Sequence, residues 1–117
     1  ARNGEFSVAM LGWGSFSADL ALRSLLMTPS AEKGLGTWNW GGYANPRLDQ
    51  LVERSLSTTD EVKREELARE AMLLAMRDRA AIVLHHQIST WAMKSGLKLQ
   101  PRTDEYTLAG SLSLQRP

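Results

Sequence analysis

Apolar positions along the chain change their period several times, and each change marks an element. Phe6 to Leu11 is a nearly continuous apolar run that ends at Gly12-Trp13-Gly14, which predicts a buried strand running into a loop. Ser17 then stands as an N-cap with Asp19 in the first turn, and Ala18, Leu22, Leu25 and Leu26 share one helical face until Thr28-Pro29 stops it. Ser30 to Tyr43 has no period. Asn45-Pro46 restarts a helix, with Asn at the cap and Pro where its missing N–H is harmless, and Leu48, Leu51, Val52 and Leu56 form its stripe to about Ser57. A third helix opens at Thr58-Thr59-Asp60-Glu61, capped by Thr58 or Asp60, and runs to Asp78 or Arg79. Leu67, Ala71, Leu74 and Ala75 are its buried stripe, with Ala68 and Met72 at the edge and Arg64, Glu65, Arg69 and Glu70 in solvent. Ala81–Leu84 and Ile88–Met93 read as short strands, Leu97-Lys98-Leu99 alternates, and Tyr106 to Leu114 reads as extended or irregular. The expected architecture is α+β, with about three helices packed on a small mixed sheet.

Composition narrows the function classes. The 117 residues are 43% hydrophobic and 23% charged, which suits a globular domain and argues against a disordered arm. Fourteen Lys and Arg against thirteen Asp and Glu leave +1, which is no electrostatic footprint for nucleic acid. There is no cysteine, so thiolate metal sites, a Cys nucleophile and disulfides are excluded. No apolar run, Ala80 to Leu84 included, approaches the roughly 20 residues of a membrane-spanning helix.

Candidate chemistry is sparse. His85-His86 is the one histidine pair, and neighbouring side chains in a strand point to opposite faces, so the two rings do not readily share a metal. Gly34 and Gly36 do not complete a phosphate-binding GxGxxG, because the third position is Asn39. No GxSxG or HExxH occurs. The aromatic residues say more: Trp13, Phe16, Trp38, Trp40 and Tyr43 lie in or beside loops with glycine and serine, a lining suited either to a ligand cleft or to the cap of a core under a long loop.

From Gly36 onward the order of motifs resembles a known family. Tyr43-Ala44-Asn45-Pro46-Arg47-Leu48-Asp49-Gln50-Leu51, Thr59-Asp60-Glu61-Val62-Lys63-Arg64, the Leu67–Met76 helix, Ala81-Ile82-Val83-Leu84-His85-His86 and Trp91-Ala92-Met93-Lys94-Ser95-Gly96-Leu97 follow one another as in extracytoplasmic solute-binding proteins of the peptide, oligopeptide and nickel class. Leu11-Gly12-Trp13-Gly14 is similar to their "GGW" strand end, and Ala18-Asp19 stands near their acidic loop. Ala80, Ala81 and Val83 replace the prolines usual in the later strand, and Phe16 stands where an aspartate often follows the tryptophan.

The resemblance implies that residues 1–117 are the C-terminal portion of a two-lobed (type II) binding protein, mostly second lobe, with return strands toward the first lobe near 82–117. It implies a substrate-binding component of an ABC importer, periplasmic or extracellular and lipid-anchored, that holds a peptide or related small solute without transforming it. Trp13 is the expected cleft wall, with Ser15 and Phe16 beside it, Asp19 as a charge partner, and Trp38 and Trp40 as further lining. No catalytic residue, metal or cofactor is implied. The implied partners are the ligand and the permease subunits. Nucleic acid is not among them, the chain does not itself span the membrane, and the isolated fragment dimerises. Two alternatives stay open: a small enzyme or metal-binding domain using His85 and His86, and a cytoplasmic regulator with a receptor-like fold.

Overall fold

The computed structural model describes residues 3–115 and divides the chain into two compact units, residues 1–84 and 85–117. The first unit holds three helices: α1 (Ala18–Leu25), α2 (Pro46–Ser57) and α3 (Glu61–Arg77). Their apolar faces pack on one another. Leu22, Leu26 and Met27 from α1 and its exit meet Leu48, Leu51 and Val52 of α2 and Leu67, Ala68, Ala71 and Ala75 of α3. The stripe expected for α2 ends one residue early: Leu56 is partly exposed and Ser55 is buried in its place. Ser55 is tolerated there because its hydroxyl donates to the Arg64 carbonyl at 3.0 Å, which also ties α2 to α3.

Helix ends follow local chemistry. Asn45 Oδ1 accepts from the amides of Arg47 (3.0 Å) and Leu48 (3.3 Å) at the start of α2. At the start of α3 the cap is Asp60, whose Oδ1 accepts from the Lys63 amide at 3.1 Å. The α3 exit is a Schellman closure: Ala80 N–H donates to the Ala75 carbonyl and Arg79 N–H to that of Met76, with Arg79 left-handed at φ 56°. Ser17 takes the N-cap backbone of α1 without a capping side-chain bond, and α1 ends at Leu25, short of Thr28-Pro29. Asp49, in the first turn of α2, then receives both the amide (2.9 Å) and the hydroxyl (2.6 Å) of Thr28.

The second unit contains one two-stranded antiparallel sheet, β1 (Leu97–Leu99) with β2 (Leu112–Leu114), in the register Leu97↔Leu114, Lys98↔Ser113, Leu99↔Leu112. A single 3-10 turn at Ala109–Ser111 leads into β2. Gln115 N–H to Gly96 O (2.8 Å) and Gln100 N–H to Ser111 O (3.0 Å) extend the ladder. Trp91 Nε1 donates to Thr107 Oγ1 at 2.8 Å and Ser89 Oγ to Glu105 Oε1 at 3.2 Å, so residues 89–91 are tied to 105–107 by side chains.

The chain is therefore α+β with three helices, but the expected mixed sheet is corrected to one antiparallel pair, and the buried faces of the helices pack on one another. The strands expected at Phe6–Leu11, Ala81–Leu84 and Ile88–Met93 do not form. Among the described residues no backbone–backbone hydrogen bond involves 5–16 or 81–93. A continuous apolar run is the pattern of a strand covered on both faces, and it becomes a strand only when a ladder partner satisfies its amides. Here Val8 and Ile82 are instead 88% and 84% exposed. Among the described residues no helix is long and apolar enough to cross a membrane.

Candidate functional site

The irregular segment between α1 and α2 is organised by the end of α1. The last turn of a helix leaves carbonyls without intrahelical donors. Gly36 N–H donates to Arg23 O and Trp38 N–H to Ser24 O, both at 3.0 Å, so this loop caps α1 from outside. A short bridge between Ser30 and Leu35 folds the segment back in time to make those bonds.

Two residues hold the arrangement. Gly36 is left-handed at φ +57°, and a Cβ there would lie 2.4 Å from Met27 O and 2.9 Å from Pro29 N and Cα. Asn39 is buried and makes three bonds: Nδ2 donates to Met27 O (2.9 Å) and Tyr43 O (2.7 Å), and Oδ1 accepts from Tyr43 N–H (3.1 Å). Neither is legible as a site residue from sequence. A Gly-Thr-Trp-Asn run inside a long loop is the one available cue, because Asn mimics a backbone turn and Gly permits close approach.

This scaffold gathers tryptophans. The Trp13 and Trp38 rings meet edge to face, with centroids 5.4 Å apart at 65°, and Trp38 meets Trp40 at 5.3 Å and 43°. Separations of this size are in the favourable range for aromatic pairs, worth about 0.5–1.5 kcal/mol each beyond area burial. Trp13 and Trp38 remain 39% and 40% exposed, so the cluster presents aromatic surface to solvent. Trp40 lies deeper, and its Nε1 is buried with no hydrogen-bond partner among the described residues. An unsatisfied buried donor costs about 1–3 kcal/mol, so the cluster retains an unused polar group beneath its aromatic surface.

Three of the six expected lining residues, Trp13, Trp38 and Trp40, are thus brought together. The hydrogen bonds of the other two polar positions stay local. Ser15 Oγ donates to Ser17 O at 2.9 Å, and buried Asp19 accepts from the Leu20 amide at 3.0 Å, both at the entry of α1. Phe16 is 96% exposed.

A second polar junction joins the start of α2 to the end of α3. Tyr43 OH and Asn45 Nδ2 both donate to Asp78 Oδ2 at 2.7 Å. Burial, then the bond to Asp78, pushes the Tyr43 phenol up to about 12. The Tyr43 hydroxyl, then the Asn45 amide, holds the Asp78 carboxyl below the usual carboxylate range. Asn45 caps one helix with its oxygen and reaches the exit of another with its nitrogen. His85 and His86 are both exposed in a segment without regular structure. Comparison with protein-family models, with curated proteins and with solved structures finds no match to this chain.

Proposed function

We propose that the chain is part of the solute-binding component of an ABC importer of the peptide class, capturing a small solute without making or breaking a bond. The order of motifs described above supports the reading, and the observation that carries it is the half-exposed Trp13–Trp38–Trp40 cluster. Rigid aromatic area with a few fixed polar groups is what a non-catalytic cleft needs. In this reading Trp13 and Trp38 form the wall, and Trp40 Nε1 supplies a donor for a carbonyl or carboxylate of the ligand. Ser15 and Phe16 line the approach at the entry of α1, beneath which Asp19 is buried. Residues 1–117 are then the C-terminal portion of a two-lobed receptor that works outside the cytoplasm and delivers its ligand to permease subunits.

The test uses the complete product of the natural reading frame, purified without denaturation. Native mass spectrometry should release a small molecule on unfolding, and Trp13→Ala or Trp38→Ala should lower its occupancy severalfold. Release of nothing, together with tryptophan fluorescence that stays constant across a pool of short peptides, would overturn the reading. So would chemical turnover of a bound peptide. The same reading has the isolated chain self-associating through exposed Val8, Phe16, Ile82, Val83 and Leu84. A concentration-independent monomer in analytical ultracentrifugation would refute that part.

A further inference from the structure

A groove of about 360 Å³ runs between the outer faces of α2 and α3, framed by Arg54, Lys63, Glu66, Arg69 and Glu70. Leu67 and Leu73 form its apolar lining. It is continued by a smaller groove of about 90 Å³ that shares Glu70 and Leu73 and adds Arg47, Leu74 and Arg77. Helical spacing accounts for the alignment: Glu66, Arg69, Leu73 and Arg77 recur at three- and four-residue steps along one side of α3, away from its Ala71–Ala75 core face.

Charge on this face is lopsided. Five cations, Arg47, Arg54, Lys63, Arg69 and Arg77, meet only two acids, Glu66 and Glu70. The whole chain, by contrast, carries an excess of just +1. Glu70 is engaged by Arg47 Nη2 at 3.0 Å. Among the described residues the other four cations have no carboxylate within 4.0 Å. Leu73, 47% exposed, sits where the two grooves meet.

We propose that this groove docks an acidic polypeptide segment of a partner protein, with an aliphatic side chain seated on Leu73 and carboxylates on the flanking arginines and Lys63. Charge complementarity selects an acidic occupant, and the apolar lining selects one that carries a hydrophobic anchor. A nucleic-acid backbone fits less well. Glu66 and Glu70 would lie in the path of its continuous negative charge, and no lining residue offers an aromatic face for a base. The proposal is independent of ligand capture at the tryptophan cluster.

The probe is a short capped peptide with glutamates on both sides of a central leucine, fluorescently labelled and titrated against the full chain by anisotropy. Saturable binding is expected at low salt, weakening at least about tenfold as ionic strength rises to about 0.5 M. Arg54→Gln/Lys63→Gln/Arg69→Gln should weaken it at least about tenfold. Leu73→Ser, or serine in place of the peptide's leucine, should weaken it severalfold. Lys33→Gln/Lys98→Gln, which neutralises cations elsewhere, should leave it unchanged, with far-ultraviolet circular dichroism confirming the fold of every variant. Absence of saturable binding at low salt, equal loss in the Lys33/Lys98 variant, or tighter binding of a single-stranded oligonucleotide of equal charge would each overturn the proposal.

Discussion

Replacing Gly36 by alanine puts the organisation of the α1–α2 loop to the test. An L-residue held at φ +57° costs about 1–2 kcal/mol on its own. The added Cβ would also lie 2.4 Å from Met27 O and 2.9 Å from two backbone atoms of Pro29. Neither neighbour gives way easily. Met27 O already accepts from Asn39, and the proline ring fixes its own φ. Relief therefore requires the loop to lift from α1, loosening Gly36 N–H to Arg23 O and Trp38 N–H to Ser24 O, each worth about 1 kcal/mol net. Alanine returns about 0.4–1 kcal/mol through the unfolded chain, leaving a loss of about 3 kcal/mol. Gly34→Ala is the matched control. It shares the left-handed backbone at φ +62°, but its nearest neighbour for a Cβ is the flexible end of Arg23 at 3.9 Å, so about 1 kcal/mol is expected. Urea unfolding followed by circular dichroism and by tryptophan fluorescence gives both values. Should Gly36→Ala fall within about 0.5 kcal/mol of Gly34→Ala, close approach to Met27 and Pro29 is not what requires glycine there.

Other positions give further expectations. Asn39→Ala removes three bonds from a buried loop centre and should cost about 2–4 kcal/mol, with a change in the near-ultraviolet dichroism of the neighbouring tryptophans; unchanged spectra and stability would contradict its role. Arg79→Gly relieves a left-handed residue at the Schellman position of α3 and should stabilise the fold by about 0.5–1 kcal/mol, read as a higher urea midpoint; a lower midpoint would show that the arginine side chain contributes more than its backbone strain costs. The Tyr43 phenol, raised to about 12, favours the folded state fully below its unfolded value near 10, and that contribution fades as pH climbs from about 10 through 12. Tyr43→Phe should remove this alkaline limb, and an ultraviolet difference titration against the parent should have its midpoint near 12. Asp78, lowered by its two donors, contributes above its unfolded value near 4 and loses that contribution as pH falls below it, so Asp78→Asn should flatten the acid limb of thermal unfolding.

The helices were legible because their signals are local. Asn45-Pro46, Asp60 and the apolar stripes act within one or two turns, and the structure places α2 and α3 where those residues say. Leu56 and Ser55 exchanged roles because a hydroxyl found a carbonyl on the next helix, which spacing alone does not reveal. The apolar runs Phe6–Leu11 and Ala81–Leu84 form no strand because a strand is a property of two segments, and apolar sequence reports only one of them. At the candidate site, the aromatic residue types were visible from the start. Which three rings meet depends on Gly36 reaching back to α1 and Asn39 to Met27 just past its end, contacts across sequence that no local pattern encodes.

That reach-back has a dynamic consequence. An eight-residue helix is too short to persist alone, so α1 owes its order to packing and to the amides that a later segment lends to its final carbonyls. In hydrogen–deuterium exchange the Gly36 and Trp38 amides should therefore open in step with those of α1. Any event that frays the last turn of α1 disperses the indole array with it, so order at the helix end and order at the aromatic surface are a single cooperative variable.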